Sequence, residues 1–139
     1  MQKIDKFNGE YAFLSNFYTS PIQHKGIVYP TVEHMFQAMK TLDETERIKI
    51  ANAETPGSAK RMGRSVALRG DWEDVKIDIM RTALALKFTT PGLKEKLLAT
   101  GDAELVEGNT WNDRFWGVCG GTGKNMLGTL LMELREDLR

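Results

Sequence analysis

Glu33, Gln37 and Lys40 are spaced i, i+4 and i+7, so a helix through them lines up an acid, an amide and an amine on one face. Val32, Phe36 and Met39 form an apolar stripe beside them, with Met35 further round, which sets the polar stripe at the edge of a core-facing surface. Loss of water at such an edge perturbs titratable groups, and one of Glu33 and Lys40 could then serve as acid or base and the other as nucleophile. The same spacing fits a solvated helix face carrying a Glu–Gln–Lys ladder. Spacing alone leaves both open.

A second group lies in Gly108-Asn109-Thr110-Trp111-Asn112-Asp113-Arg114-Phe115-Trp116-Gly117, where three large aromatics alternate with amides, an acid and an arginine. Aromatic faces stack on a planar base and amides read its edges or a ribose. A carboxylate there could activate water or stabilise an oxocarbenium ion. The competing reading is a turn whose Asn, Gly and Asp serve backbone geometry and whose aromatics fill the core. Two further groups are Ser15-Asn16, set among Tyr11, Phe13, Phe17 and Tyr18, and the basic run Lys60-Arg61-Met62-Gly63-Arg64 with Arg69 nearby. Arginine suits bidentate contact with phosphate; a solvated helix end explains the run equally.

The elements that must position these groups are well punctuated. Residues 11–29 are aromatic and β-branched in places, which suggests a β-rich N-terminal part. Lys25-Gly26 between Ile22-Gln23-His24 and Ile27-Val28-Tyr29 predicts a tight hairpin ended by Pro30. Thr31, Asp43, Thr55 (before Pro56), Asp71, Thr90 (before Pro91) and Asn125 are each placed to cap a helix. The longest helix is expected over 72–88 and the last over 126–138. Segments 103–107 and 115–119 read as two strands joined by the 108–114 loop. The fold class expected is α+β, mainly helical, with a small antiparallel sheet in one compact domain over residues 1–139.

Composition narrows the function classes. The 139 residues are 41% hydrophobic and 27% charged, an ordinary globular balance. Lys plus Arg number 19 and Asp plus Glu number 19, so the basic excess of a nucleic-acid coating protein is missing. Cys119 is the one cysteine, which excludes an intramolecular disulfide, and His24 and His34 are not spaced as a helical ligand pair. The reading therefore needs no metal and no cofactor. The first residues lack the apolar run of a signal peptide and no segment is apolar enough to span a membrane, so a cytoplasmic location is expected.

Taken together the motifs are more specific. Asn16-Phe17-Tyr18, then Tyr29-Pro30-Thr31-Val32-Glu33-His34 with Phe36-Gln37 and Lys40, resembles the opening signature of the NADAR family of N-glycosidases. Gly63-Arg64, Asp71-Trp72-Glu73 with Lys76, and Met80-Arg81 with Lys87-Phe88 resemble its middle. Gly108-Asn109-Thr110-Trp111, Asp113 and Phe115-Trp116-Gly117 resemble its close. The resemblance runs in the family's order from about Phe7 to the last helix. One departure is Asn112, where the family usually has glycine; asparagine tolerates left-handed backbone better than most residues.

The resemblance implies hydrolysis of a bond between a ribose carbon and a nitrogen. The substrate would be a phosphorylated riboflavin-biosynthesis intermediate or an ADP-ribosylated guanine, free or within a nucleic acid. It implies that Lys40 captures the opened sugar as a Schiff base and that Glu33 and Asp113 handle protons. Asn16, Phe17, Gln37, Arg64, Asn109, Trp111, Phe115 and Trp116 are implied to bind substrate. A Schiff base requires a partly neutral Lys40, favoured by burial or a cationic neighbour and opposed by an ionised Glu33. An alternative from another class is a non-catalytic module binding ADP-ribose or a nucleotide, which needs the aromatics and amides but not Lys40 and Glu33.

Overall fold

A computed structural model describes residues 2–139. About half of them are helical, in one 3-10 helix and six α-helices, with two two-stranded sheets, one of them the expected small antiparallel sheet. The described chain divides into two compact units, Asn16–Lys87 and Met1–Ser15 with Phe88–Arg139. No helix among the described residues is long and apolar enough to cross a membrane.

In the Asn16–Lys87 unit the hairpin forms as predicted. Strands Ile22–His24 (β2, β1 being Lys3–Ile4 in the other unit) and Ile27–Tyr29 (β3) pair antiparallel, Ile22 opposite Tyr29. Lys25 at φ 50° and Gly26 at φ 83° are both left-handed, the backbone that a two-residue type I′ turn demands. Helix α1, Val32–Ala38, starts on the Thr31 hydroxyl, which accepts from the His34 N–H at 3.1 Å. The His34 ring locks the same corner, with Nδ1 2.8 Å from Thr31 Oγ1 and Nε2 3.0 Å from the Ala53 carbonyl. That carbonyl only accepts, so the proton sits on Nε2, and burial lowers the ring's pKa. Helices α2 (Glu44–Ala51) and α3 (Pro56–Gly63) begin on the Asp43 and Thr55 side chains as expected.

Helix α4, Trp72–Lys87, buries Trp72, Met80, Ala83 and Leu84. The expected Asp71 cap is not formed. Its carboxylate takes the Arg69 guanidinium at two points, 2.6 and 3.2 Å, and a bidentate charged pair outcompetes a single backbone N–H.

In the other unit, Gly9–Leu14 is a 3-10 helix rather than part of a β-rich region. Phe13 and Leu14 are adjacent and both buried, which a strand, with side chains alternating between faces, does not provide. Short bonds such as Tyr11 N–H to Asn8 O close the turn instead. Strand β1 pairs in parallel with Glu104–Leu105 (β4), and helices Pro91–Ala99 (α5) and Met126–Leu138 (α6) complete the unit. Both helices start where predicted, but neither Thr90 nor Asn125 caps with its side chain. The Asn125 amide instead accepts from Glu107 N–H and donates to Leu105 O, both at 2.9 Å, tying the start of α6 to the end of β4.

Candidate active site

The polar stripe of α1 is buried. Glu33 is 7% and Gln37 4% exposed, and all seven residues of the helix are buried, so the solvated-ladder reading fails. Gln37 Nε2 donates to Glu33 Oε2 at 2.7 Å, an amide-to-carboxylate bond one helical turn long. The Glu33 N–H donates to the Asn16 carbonyl at 3.1 Å, which fixes the Asn16-Phe17 segment at the helix start. The Asn16 side chain is buried, its amide 3.6 Å from the Met80 sulfur. Asn16 Oδ1 and Gln37 Oε1 are buried acceptors with no hydrogen-bond partner. Phe17 is exposed.

Lys40 follows just beyond α1. Its backbone is held from both sides: the N–H donates to Gln37 O at 3.2 Å and the carbonyl accepts from Arg69 N–H at 2.8 Å. Its Nζ lies 5.9 Å from the ring centres of both Phe36 and Trp72, which pack 5.1 Å apart at 58°. The amine is half-buried, and its pKa falls below the ordinary lysine value of 10.5. Burial is the largest cause; the Glu33 carboxylate pulls upward, and the Arg64 and Lys60 cations push down again. The net shift is downward, the direction that eases loss of the amine's proton. Arg64 is exposed at the C-terminal end of α3.

The second group of predicted residues lies in the other unit. Asn109 Oδ1 accepts from Asp113 N–H at 3.1 Å, and Asn109 Nδ2 donates to Asp113 O at 2.9 Å and Glu107 Oε2 at 3.0 Å. Asp113 Oδ1 accepts from the N–H groups of Phe115 and Trp116 at 3.2 and 2.9 Å. Asn112 sits at φ 67°, the left-handed geometry that glycine would supply. Trp111 is 59% exposed, while Phe115 and Trp116 are half-buried and meet edge to face at 4.8 Å.

The strand expected over 115–119 is absent; only isolated bridges, Gly108 to Val118 and Cys119 to Thr122, form there. The carbonyls of Phe115, Trp116 and Gly117 accept from the N–H groups of Met126, Leu127 and Asn125, the orphan donors where α6 begins. A backbone used this way has no ladder left to build. Gly117 has no room for a side chain, since a Cβ would fall 2.2 Å from Glu107 O.

The structure thus groups Asn16, Glu33, Gln37 and Lys40 in one unit and Asn109, Trp111, Asp113, Phe115 and Trp116 in the other. Sequence reasoning assigned no site role to Phe36, Trp72 or Gly63. Trp72 was read as core, although it stands in the Asp71-Trp72-Glu73 motif, and its position after a cap was the available signal. Gly63 stands in the basic run and in the Gly63-Arg64 motif, neither of which gives it a role of its own. A Cβ there would meet Gln37 Oε1 at 1.9 Å.

Comparison with known proteins gives a family model described as NADAR domain, matching residues 4–139. The N-glycosidase YbiA of Escherichia coli K12 is 51% identical over 133 residues, which cover 93% of this chain and 82% of that protein. The riboflavin biosynthesis protein VVA0006 of Vibrio vulnificus is 41% identical over 134 residues, covering 93% of this chain and 36% of that larger protein. The NMR structure of the E. coli protein YbiA superimposes with a TM-score of 0.86 at 48% identity, covering 99% of this chain and 86% of that one.

Proposed function

The chain belongs to the NADAR domain family, and from that premise we propose that it hydrolyses the N-glycosidic bond between a ribose carbon and a base, with Lys40 as nucleophile. The family model crosses both compact units without a break, which supports a single functional domain. The observation that carries the reading is the half-buried Lys40 amine beside the packed Phe36 and Trp72 rings, close in sequence to the bonded Glu33–Gln37 pair.

The neutral amine attacks the ribose C1′, the C1′–N bond to the base breaks, and a carboxylic acid gives the departing base its proton. The ring oxygen then leaves C1′ with a proton, giving an iminium between Lys40 and the open sugar. Water adds, a carboxylate takes its proton, and collapse releases the sugar and restores the amine. Glu33, whose charge acts on the Lys40 amine, is one of the two carboxylates. Asp113 is the other: Oδ1 holds the loop, and the same carboxyl group provides the proton-handling function. No step calls for a metal or a cofactor.

For binding we assign Asn16, Phe17, Gln37, Asn109, Phe115 and Trp116, with Arg64 directed to a substrate phosphate and Trp111 stacking on the base. The substrate class is a phosphorylated riboflavin precursor, in keeping with the name of the Vibrio vulnificus relative, or an ADP-ribosylated guanine.

The test is chemical. Borohydride added during turnover should reduce the iminium and leave the sugar on Lys40, seen as a mass increase on the peptide that contains it. Lys40→Ala should release no free base. Turnover at the wild-type rate in Lys40→Ala would remove the mechanism, and substrate binding without product would turn the chain into a recognition module.

A further inference from the structure

Gly63 ends α3 in right-handed helical backbone, so its lack of a side chain is not explained by a left-handed φ. In that setting alanine is the better helix former. Space explains it. A Cβ at position 63 would lie 1.9 Å from Gln37 Oε1, 2.9 Å from Cδ and 3.1 Å from Cβ. The buried Gln37 carboxamide fills the place where that side chain would be, and its other end donates to Glu33 Oε2 at 2.7 Å. Gln37 Oε1 has no hydrogen-bond partner, so the amide is held by the one bond from Nε2 to Glu33 and by the shape of the gap.

We propose that Gly63 is a positioning residue for the catalytic carboxylate: the gap it leaves on α3 seats the Gln37 amide, and that amide holds Glu33 in its working orientation beside Lys40. The chain of contact is short, from a helix end to an amide to an acid. The inference rests on the reading of Glu33 as a proton-handling group. It adds that a position bearing no functional group sets the rate. Lys60, one turn back on α3, and Arg64, next after Gly63, are the cations that act on Lys40, so the close approach of α3 at Gly63 also fixes their distance.

The experiment compares Gly63→Ala with Gly57→Ala on the same helix, where a Cβ meets only Thr55 Oγ1 at an ordinary 3.8 Å. Gly63→Ala should lower kcat roughly ten- to a hundredfold, the scale of one hydrogen bond to a charged group, with little change in KM. Gly57→Ala should leave kcat unchanged. In a Gln37→Ala background, Gly63→Ala should have almost no further effect, because the clashing group is gone. Overpacking could unfold the single variant, so Gln37→Met, which keeps the volume but cannot donate, provides an independent arm and should lower kcat to a similar extent.

A readout independent of turnover is the NMR signal of the Gln37 side-chain amide and of the Glu33 carboxyl carbon. Both should shift in Gly63→Ala and not in Gly57→Ala. Unmoved signals, equal kcat losses from Gly63→Ala with and without Gln37, or full kcat in Gln37→Met would each overturn the proposal. A wild-type protein that shows the NMR coupling but cleaves no substrate would instead defeat the glycosidase reading while leaving the positioning contact in place.

Discussion

In the Asn16–Lys87 unit the polar side chains of α1 bond to one another: Gln37 donates to Glu33, both are buried, and the amine that follows has a lowered pKa. In the other unit the polar side chains of the 109–116 loop bond mostly to backbone, with Asn109 and Asp113 bracketing five residues and Trp111 left exposed. The two motifs draw on the same residue types. A short helix buried on every side removes water from its polar stripe, so those groups perturb each other. An irregular loop must satisfy its own N–H and C=O groups, and short polar side chains are the means at hand. Mutations in the first region should therefore alter chemistry, and mutations in the second should alter shape unless the group has both roles.

Asp113 tests that division most sharply. Asp113→Asn keeps an oxygen for the N–H groups of Phe115 and Trp116, so thermal unfolding should be close to wild type, whereas turnover should fall roughly a hundredfold if the acid transfers a proton. Asp113→Ala strips both donors of their acceptor and should also destabilise the fold by about 1–3 kcal/mol, measurable by urea titration. Undiminished turnover in Asp113→Asn would make this residue architecture alone.

Trp111 comes next. Its exposure predicts almost no loss of melting temperature in Trp111→Ala. Removal of a base-stacking face should raise KM about tenfold or more. An unaltered KM would take Trp111 out of the binding surface.

The electrostatics around Lys40 predict opposite shifts. Glu33 holds the amine's pKa up, so Glu33→Gln should move the alkaline rise of the rate to lower pH, on top of any loss in kcat. Arg64 and Lys60 hold it down, so Arg64→Ala should move that rise to higher pH. Shifts in the same direction would mean that the inflection belongs to another group.

The smallest effect on activity is expected at Lys87, whose side chain is fully buried near Tyr18, 5.5 Å from the ring centre. Burial lowers its pKa from 10.5 to about 7. Between those values the unfolded chain binds a proton that the folded chain does not, so stability rises with pH across that window. Lys87→Met should flatten the rise, read as urea midpoints compared at neutral and alkaline pH. A slope equal to wild type would show that the buried amine is charged in the fold.

Much of this protein was legible in its residues. The Lys25-Gly26 turn, the caps at Thr31, Asp43 and Thr55 and the starts at Pro91 and Met126 are local, decided by backbone preferences and side chains within three residues. The motif set, with its amine at 40, needed no coordinates either, and the left-handed backbone at Asn112 is one that asparagine tolerates where the family usually has glycine. Tertiary structure decided what depends on distant partners. It turned the 9–14 segment into a 3-10 helix, gave the 115–117 carbonyls to α6 instead of a strand, and withdrew Asp71 from its helix toward Arg69. It also buried the α1 stripe, which spacing alone left poised between solvent and core. Desolvation depends on everything packed around a group, and so the lowered pKa of Lys40 and the gap at Gly63 belong to the fold and not to any window of sequence.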